Sequence, residues 1–178
     1  MTPLHSPEPF LAEIERHKKI LFKVAYLYCA NEADRQDLIQ DITIQLWRSF
    51  EKFDGRSRFS TWMYRVSLNV AISWRRARRR HVEGAVPLTD IALENRLIVE
   101  QSTEAAMEVR ILLGELLQKL DGMDRALALL FLEGYDHADI GETLGITTTN
   151  VATRLGRIKQ KLRQSVVADP LQTQGDRP

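Results

Sequence analysis

With 178 residues, 44% of them hydrophobic, the chain can bury one generous core or two small ones, and global disorder is excluded. No apolar run reaches the roughly eighteen residues of a membrane span, and the N-terminus lacks a charged-then-apolar signal segment. The net charge is only +1; a lone cysteine (Cys29) excludes an intramolecular disulfide and four scattered histidines (His5, His17, His81, His137) lack the spacing of a metal site, so a cytoplasmic protein without cofactors is expected.

Residues 1–9 carry three prolines and read as a disordered arm. Phe10, Ile14, Leu21, Val24, Ala25 and Tyr28 recur at helical spacing, predicting a first helix that ends near Cys29, where the thiol is open to two readings, inert packing or a redox sensor. A second helix carries Leu38, Ile39, Ile42, Leu46, Trp47 and Phe50 on one face, with Asp37, Gln40, Asp41, Gln45 and Arg48 on the other. Residues 54–57 are a turn signal, after which Phe59, Trp62, Met63, Val66, Val70 and Trp74 mark helix up to an arginine-rich end, with a candidate break near Asn69.

Periodicity fades over residues 81–103, which read as an acidic linker too long for the inside of one compact domain. Helical spacing then returns with Met107, Ile111, Leu112, Leu116, Leu117 and Leu120. Asp121 is an N-cap candidate, and residues 126–132 are apolar all round, predicting a helix buried on most sides. Asp136 caps a short helix ending at Leu144, Gly145 suits the left-handed C′ position, and Thr147 caps a last helix with Val151, Leu155, Ile158, Leu162 and Val166 inward. Residues 168–178 read as a disordered tail. The expected fold is all-α: a helical domain over 10–80 and a second over 104–167, joined by a flexible linker.

Charge is distributed unevenly along this framework. Residues 55–82 hold eight arginines and no acid, residues 147–164 hold five cations and no acid, and the remainder nets −12. Two basic stripes on an otherwise acidic chain point to two places that meet a polyanion. The second stripe lies in residues 136–163, whose short helix, glycine turn and amphipathic second helix match a helix-turn-helix. Gly141 stands where the second helix crosses closely, and Thr149, Asn150, Thr153, Arg154 and Arg157 share its outward face, side chains able to read base edges or grip phosphates.

Three segments carry a resemblance. Asp37-Leu-Ile-Gln-Asp-Ile-Thr-Ile-Gln-Leu-Trp47 is similar to the polymerase-binding helix of the sigma-70 family. Phe53-Asp-Gly-Arg-Ser-Arg-Phe-Ser-Thr-Trp-Met-Tyr-Arg-Val-Ser-Leu-Asn69, with its arginine-rich continuation, resembles that family's promoter-melting segment. Residues 134–162 resemble its C-terminal DNA-reading domain, and the order of the three matches the two-domain extracytoplasmic-function (ECF) subfamily.

The resemblance implies a non-enzymatic initiation factor that binds core RNA polymerase and recognises the −10 and −35 elements of promoter DNA. An anti-sigma partner is implied in the same way, with no insertion into a membrane. By residue, it implies docking on polymerase by Gln36, Asp37, Gln40, Asp41, Thr43 and Trp47, with Trp47 open between anchor and core. It implies −10 binding by Ser49, Phe53, Arg56, Arg58 and Asn69, which would capture an unstacked base, and by Arg75, Arg76 and Arg79, which would hold the upstream backbone. It implies −35 reading by Asn150, Thr153, Arg154 and Arg157, where Thr149-Asn150, Ala152 and Gly156 depart from common residues of the subfamily and point to an unusual −35 sequence.

Two other function classes compete. A stand-alone helix-turn-helix regulator accounts for the C-terminal half but leaves the polar face of 36–45 and the arginine cluster without a task. A nuclease needs paired carboxylates or metal ligands, whereas the acids here fall on solvent faces and helix caps.

Overall fold

The computed structural model describes residues 7–81, 114, 116–117 and 119–168. Seven helices follow in chain order: α1 (Pro7–His17), α2 (Lys19–Tyr28), α3 (Glu32–Phe50), α4 (Phe59–His81), α5 (Gly122–Leu132), α6 (His137–Leu144) and α7 (Thr148–Ala168). No strand occurs among the described residues, so the fold is all-α, as composition and periodicity predict. The expected linker over 81–103 falls outside the described residues but for His81, whose backbone ends α4, and most of the expected tail lies outside them too.

Helix starts follow the local chemistry. Asn31 accepts a hydrogen bond from the Asp34 amide at 2.8 Å, and Asp121 accepts one from the Asp124 amide at 2.7 Å. Asp136 accepts from the amides of Ala138 and Asp139, each at 2.8 Å, and Thr147 Oγ1 accepts from the Asn150 amide at 3.2 Å. Gly145 ends α6 with φ at +69°, and Gly55 turns the loop between α3 and α4 with φ at +72°.

Three expectations need correction. Residues 7–9, expected in the arm, are helical, because α1 begins at Pro7; its two prolines sit in the first turn, where an absent N–H leaves no ladder bond unmade, and the rest of the expected arm lies outside the described residues. The stretch from Phe10 to Tyr28 is two helices, and at the joint the Leu21 amide bonds Lys18 O at 3.0 Å, one residue tighter than the α ladder. This offset lets Phe10, 3% exposed, set its ring 5.0 Å from Trp47 and 5.2 Å from Phe50. Nor does α4 break at Asn69: that side chain is exposed, while Leu68 and Ala71 beside it are fully buried, so packing carries the helix through.

In the N-terminal half, α2, α3 and α4 pack on one another around Val24, Leu38, Ile42, Leu46, Met63 and Leu68. Buried Arg35 ties the α2–α3 corner by donating to Ala30 O at 2.6 Å and Cys29 O at 3.4 Å. In the C-terminal half, α5, α6 and α7 enclose Leu127, Leu130, Ile140, Val151, Leu155 and Ile158. Within α5, residues 126–130 are buried as expected, but Phe131 and Leu132 at its end are 39% and 53% exposed. The two halves share one apolar cluster, because α5 and α6 both pack against α4.

Candidate nucleic-acid interface and docking face

Helix α3 buries Leu38, Ile42 and Leu46 completely and turns its opposite side outward. Asp37, Gln40, Asp41 and Ile44 share this exposed face at the three-to-four spacing that makes side chains neighbours. Gln36 is also exposed and donates to Glu32 at 3.0 Å. Thr43 is half-buried and donates to Ile39 O at 2.7 Å, so its hydroxyl proton is directed at its own helix. Trp47, open between two readings in the sequence, is 44% exposed with one edge braced by Phe10. A half-open indole on a packed support is an anchor shape.

The candidate base-capture residues divide between two concavities. A groove of about 600 Å³ between α3 and α4 brings Ser49 and Asn69 together, with Asp41, Gln45 and Arg48 on one side and Ser73 and Trp74 on the other. Ser49 donates to Gln45 O at 2.6 Å, while Asn69 presents an exposed amide. Phe53 is not part of this groove. Its ring lies 5.6 Å from Phe59 and 5.1 Å from Trp62, and it lines a second cavity of about 370 Å³ with Lys52, Asp54, Arg56, Ser57, Trp62, Arg65 and Glu142. Trp62, 9% exposed, belongs mainly to the core. Arg56 is exposed and ion-pairs with Asp54 at 3.1 Å, and Arg58 is exposed.

Along α4 the arginine-rich end is not a uniform stripe. Arg76 is exposed and Arg75 half-buried, both beside Asp121, Gly122 and Met123. Arg78 pairs with Asp34 at 2.6 Å and lies over the Trp74 ring, fastening α4 to the start of α3. The Arg79 backbone is helical, and its side chain lies outside the described residues.

In the helix-turn-helix, a Cβ on Gly141 would stand 2.7 Å from Ile146 O, so the turn runs directly across this glycine. Asn150, Thr153 and Arg157 are exposed on one side of α7, opposite buried Val151, Leu155 and Ile158. Thr153 donates to Thr149 O at 2.9 Å. Arg154 differs: its Nη1 meets Asp124 at 2.6 Å, and its Nε donates to Asn150 Oδ1 at 3.0 Å. One candidate reader is therefore anchored to α5 and holds a second in place.

A seam of polar contacts between the halves had no signal in the sequence. Tyr28 donates to Gly122 O at 2.5 Å, and Arg125, 1% exposed, donates to Leu27 O at 2.7 Å. Glu133 takes Lys23 at 2.6 Å and the Tyr64 hydroxyl at 3.2 Å, and Arg65 pairs with Glu142 at 3.1 Å. These partners lie 69 to 110 residues apart, beyond the reach of any helical or turn pattern. Burial pushes the phenols of Tyr28 and Tyr64 above their usual range, and for Tyr64 the adjacent Glu133 carboxylate adds to the shift.

Family comparisons match this arrangement in chain order. The family model of Sigma-70 region 2 matches residues 14–81, and that of Sigma-70 region 4 matches residues 110–162. The RNA polymerase sigma factor NccH of Alcaligenes xylosoxydans xylosoxydans is 28% identical over 155 residues, which cover 84% of this chain and 82% of NccH. The ECF RNA polymerase sigma factor SigW of Bacillus subtilis is 22% identical over 169 residues, 89% of each chain. Among solved structures, CnrH in complex with the cytosolic domain of CnrY superposes with a TM-score of 0.64 at 23% identity, covering 93% of this chain and 92% of that one. RpoE in complex with the anti-sigma factor NepR from Bartonella quintana gives 0.67 at 17% identity, covering 92% and 99%. Both structures share the fold.

Proposed function

This chain belongs to the sigma-70 family of RNA polymerase sigma factors, in its ECF subfamily, and on that premise we propose which of its surfaces does what. As a sigma factor it directs RNA polymerase to promoters and so starts transcription. It carries out no catalysis of its own. Residues 10–80 form the polymerase- and −10-binding domain, residues 104–167 the −35-binding domain, and residues 81–103 the tether between them.

The exposed α3 face of Asp37, Gln40 and Asp41, with Gln36, Thr43 and Trp47, docks on the clamp coiled coil of core polymerase. Carboxylates on a rigid helix select a basic partner surface, and the braced indole supplies an apolar anchor. Asn69 and Ser49, in the α3–α4 groove, take an unstacked −10 base, whose extraction costs a few kcal/mol and must be offset by stacking and edge hydrogen bonds. Phe53, Arg56 and Arg58 flank that site from the neighbouring loop, and Arg75, Arg76 and Arg79 grip the upstream backbone. Asn150, Thr153 and Arg157 read the −35 element, with Arg154 holding Asn150 in register. The complexes of CnrH with CnrY and of RpoE with NepR support an anti-sigma partner for this chain too.

The observation that carries the docking assignment is the exposure of Asp37, Gln40 and Asp41 on one face of a helix whose opposite face is fully buried. Titration of the labelled chain with core RNA polymerase tests it. The parent binds tightly, and a folded Asp37→Arg/Asp41→Arg variant loses at least tenfold in affinity. Equal binding by both moves the interface off α3, and binding by neither favours a stand-alone operator-binding regulator.

A further inference from the structure

On the outward face of α7, the protein itself fixes the hydrogen-bonding polarity of one reader. Arg154 lies one turn beyond Asn150, the spacing at which helix side chains meet, and its Nε donates to Asn150 Oδ1 at 3.0 Å. A guanidinium carries donors and no acceptor, so the carbonyl end of the Asn150 amide must be the end that faces it. That leaves Nδ2, with its two donor hydrogens, as the end of this exposed side chain open to a partner. Arg154 is held from the other side as well. Its Nη1 meets buried Asp124 at 2.6 Å, and Asp124 sits in the first turn of α5 with its amide bonded to the Asp121 carboxylate at 2.7 Å. The Asn150 backbone is pinned too, because its amide donates to Thr147 Oγ1 at 3.2 Å. One path, Asp124–Arg154–Asn150, thus runs from a buried carboxylate on α5 to an exposed amide on α7.

An asparagine with both ends free pairs with adenine in the major groove, its oxygen accepting from N6 while its nitrogen donates to N7. In this chain the oxygen already accepts from a cation. That bond weakens it as an acceptor and sets positive charge where the amino hydrogens of adenine would come. Guanine presents two adjacent acceptors, N7 and O6, to the same groove and asks only for donors. We propose that Arg154, set in place by Asp124, is a specificity-determining positioning residue. It makes Asn150 a donor-only reader, so that the −35 base pair under Asn150 is G·C, read at guanine N7 and O6, and not A·T. The inference rests on the assignment of Asn150 to the −35 element and names the base chemistry of that contact.

The test is a selection of −35 sequences. Core polymerase holding the full chain selects from duplexes of random sequence, and the recovered motif is compared with those selected by variants. Asn150→Ala identifies the base pair that depends on Asn150, because preference is lost there. In the parent that pair is G·C, and replacing its guanine by 7-deazaguanine, which lacks the N7 acceptor, weakens binding about fivefold or more. Asp124→Asn/Arg154→Met then removes both charges together, so that no buried carboxylate is left unpaired. With its oxygen released, Asn150 takes adenine. Preference at this one pair shifts by about fivefold or more from G·C to A·T, while the rest of the motif stays as it was. A merely structural role for Arg154 gives a uniform loss of affinity with the motif unchanged.

An A·T pair at that position in the parent overturns the proposal, and so does G·C retained by the folded double variant. Full binding to the 7-deazaguanine duplex overturns it as well. The parent motif and the 7-deazaguanine duplex need no change to Asp124 or Arg154, so they decide the matter even where the double variant does not fold. Two further variants keep the underlying reading separate. If Asn150→Ala relaxes no base pair while Thr153→Ala or Arg157→Ala does, the proposal fails and the −35 assignment of α7 stands without Asn150. If none of the three relaxes any pair, that assignment fails and the proposal with it.

Discussion

On α7, Arg154 reaches inward as well as outward, to Asp124 at 2.6 Å and to Asn150 at 3.0 Å. Its place on the outward face was legible from spacing, but its partner was not, because Asp124 is 30 residues away on another helix. Asp124 is 7% exposed, so truncating the arginine strands a carboxylate that water reaches poorly. Arg154→Ala is therefore expected to lower stability by roughly 1–2 kcal/mol, while Arg157→Ala, fully on the surface, stays within about 0.5 kcal/mol. Urea denaturation followed by circular dichroism separates the two, and equal midpoints would return Arg154 to the role of a plain reader. Cys29 shows a complementary limit. Its position at a helix end was readable, but its burial was not. At 1% exposure, with burial first and Asp34 second pushing its thiol up to about 12, it sits in the core as a protonated packing residue.

Helices were the most legible level, because caps and apolar spacing are local. Asp121, Asp136 and Thr147 begin helices where their side chains can take a free amide, and Gly145 ends one with positive φ. The joint at Lys18 was missed because α1 and α2 keep one apolar period across it, and the offset gains its value only from Phe10 meeting Trp47. The sequence places Gly141 at a close crossing, and its neighbour is backbone, Ile146 O, which cannot rotate away as a side chain can. Gly141→Ala gains up to about 1 kcal/mol of helix propensity but meets an overpacking cost of about 1–3 kcal/mol, so net destabilisation is expected. A fall in melting temperature with weakened −35 DNA binding bears this out; a rise would mean that the turn relaxes freely. The basic end of α4 divides by element contact, with Arg78 fastened to α3 and Arg76 exposed. Arg76→Glu is expected to weaken promoter-DNA binding and reduce the log–log salt slope by about one, as loss of one phosphate contact requires. An unchanged slope would place the phosphates elsewhere.

At the scale of the whole molecule, the sequence predicts two helical units because periodicity stops and restarts, but nothing in it predicts that α4 packs against α5 and α6. No pattern in the chain pairs Tyr64 with Glu133 or Tyr28 with Gly122, since each contact depends on how completed helices dock. The docking leaves a titration signature. Burial raises the phenols of Tyr28 and Tyr64, with Glu133 adding to the second, and burial with Asp34 raises the thiol of Cys29. All three are neutral when protonated, so the folded chain keeps protons that the unfolded chain releases in alkali. Their contribution is complete below the ordinary thiol and phenol values of 9 and 10 and is lost as the pH rises beyond them. Stability measured by urea midpoint is therefore expected to fall steadily from about pH 9 to about pH 11. Two of the three groups lie on the seam, so Tyr64→Phe, which keeps the ring against Tyr135 and deletes the proton, should flatten that fall. A slope unchanged in Tyr64→Phe would assign the alkaline loss to groups away from the joint, and with it the idea that the two halves meet through Tyr64 in solution would fail.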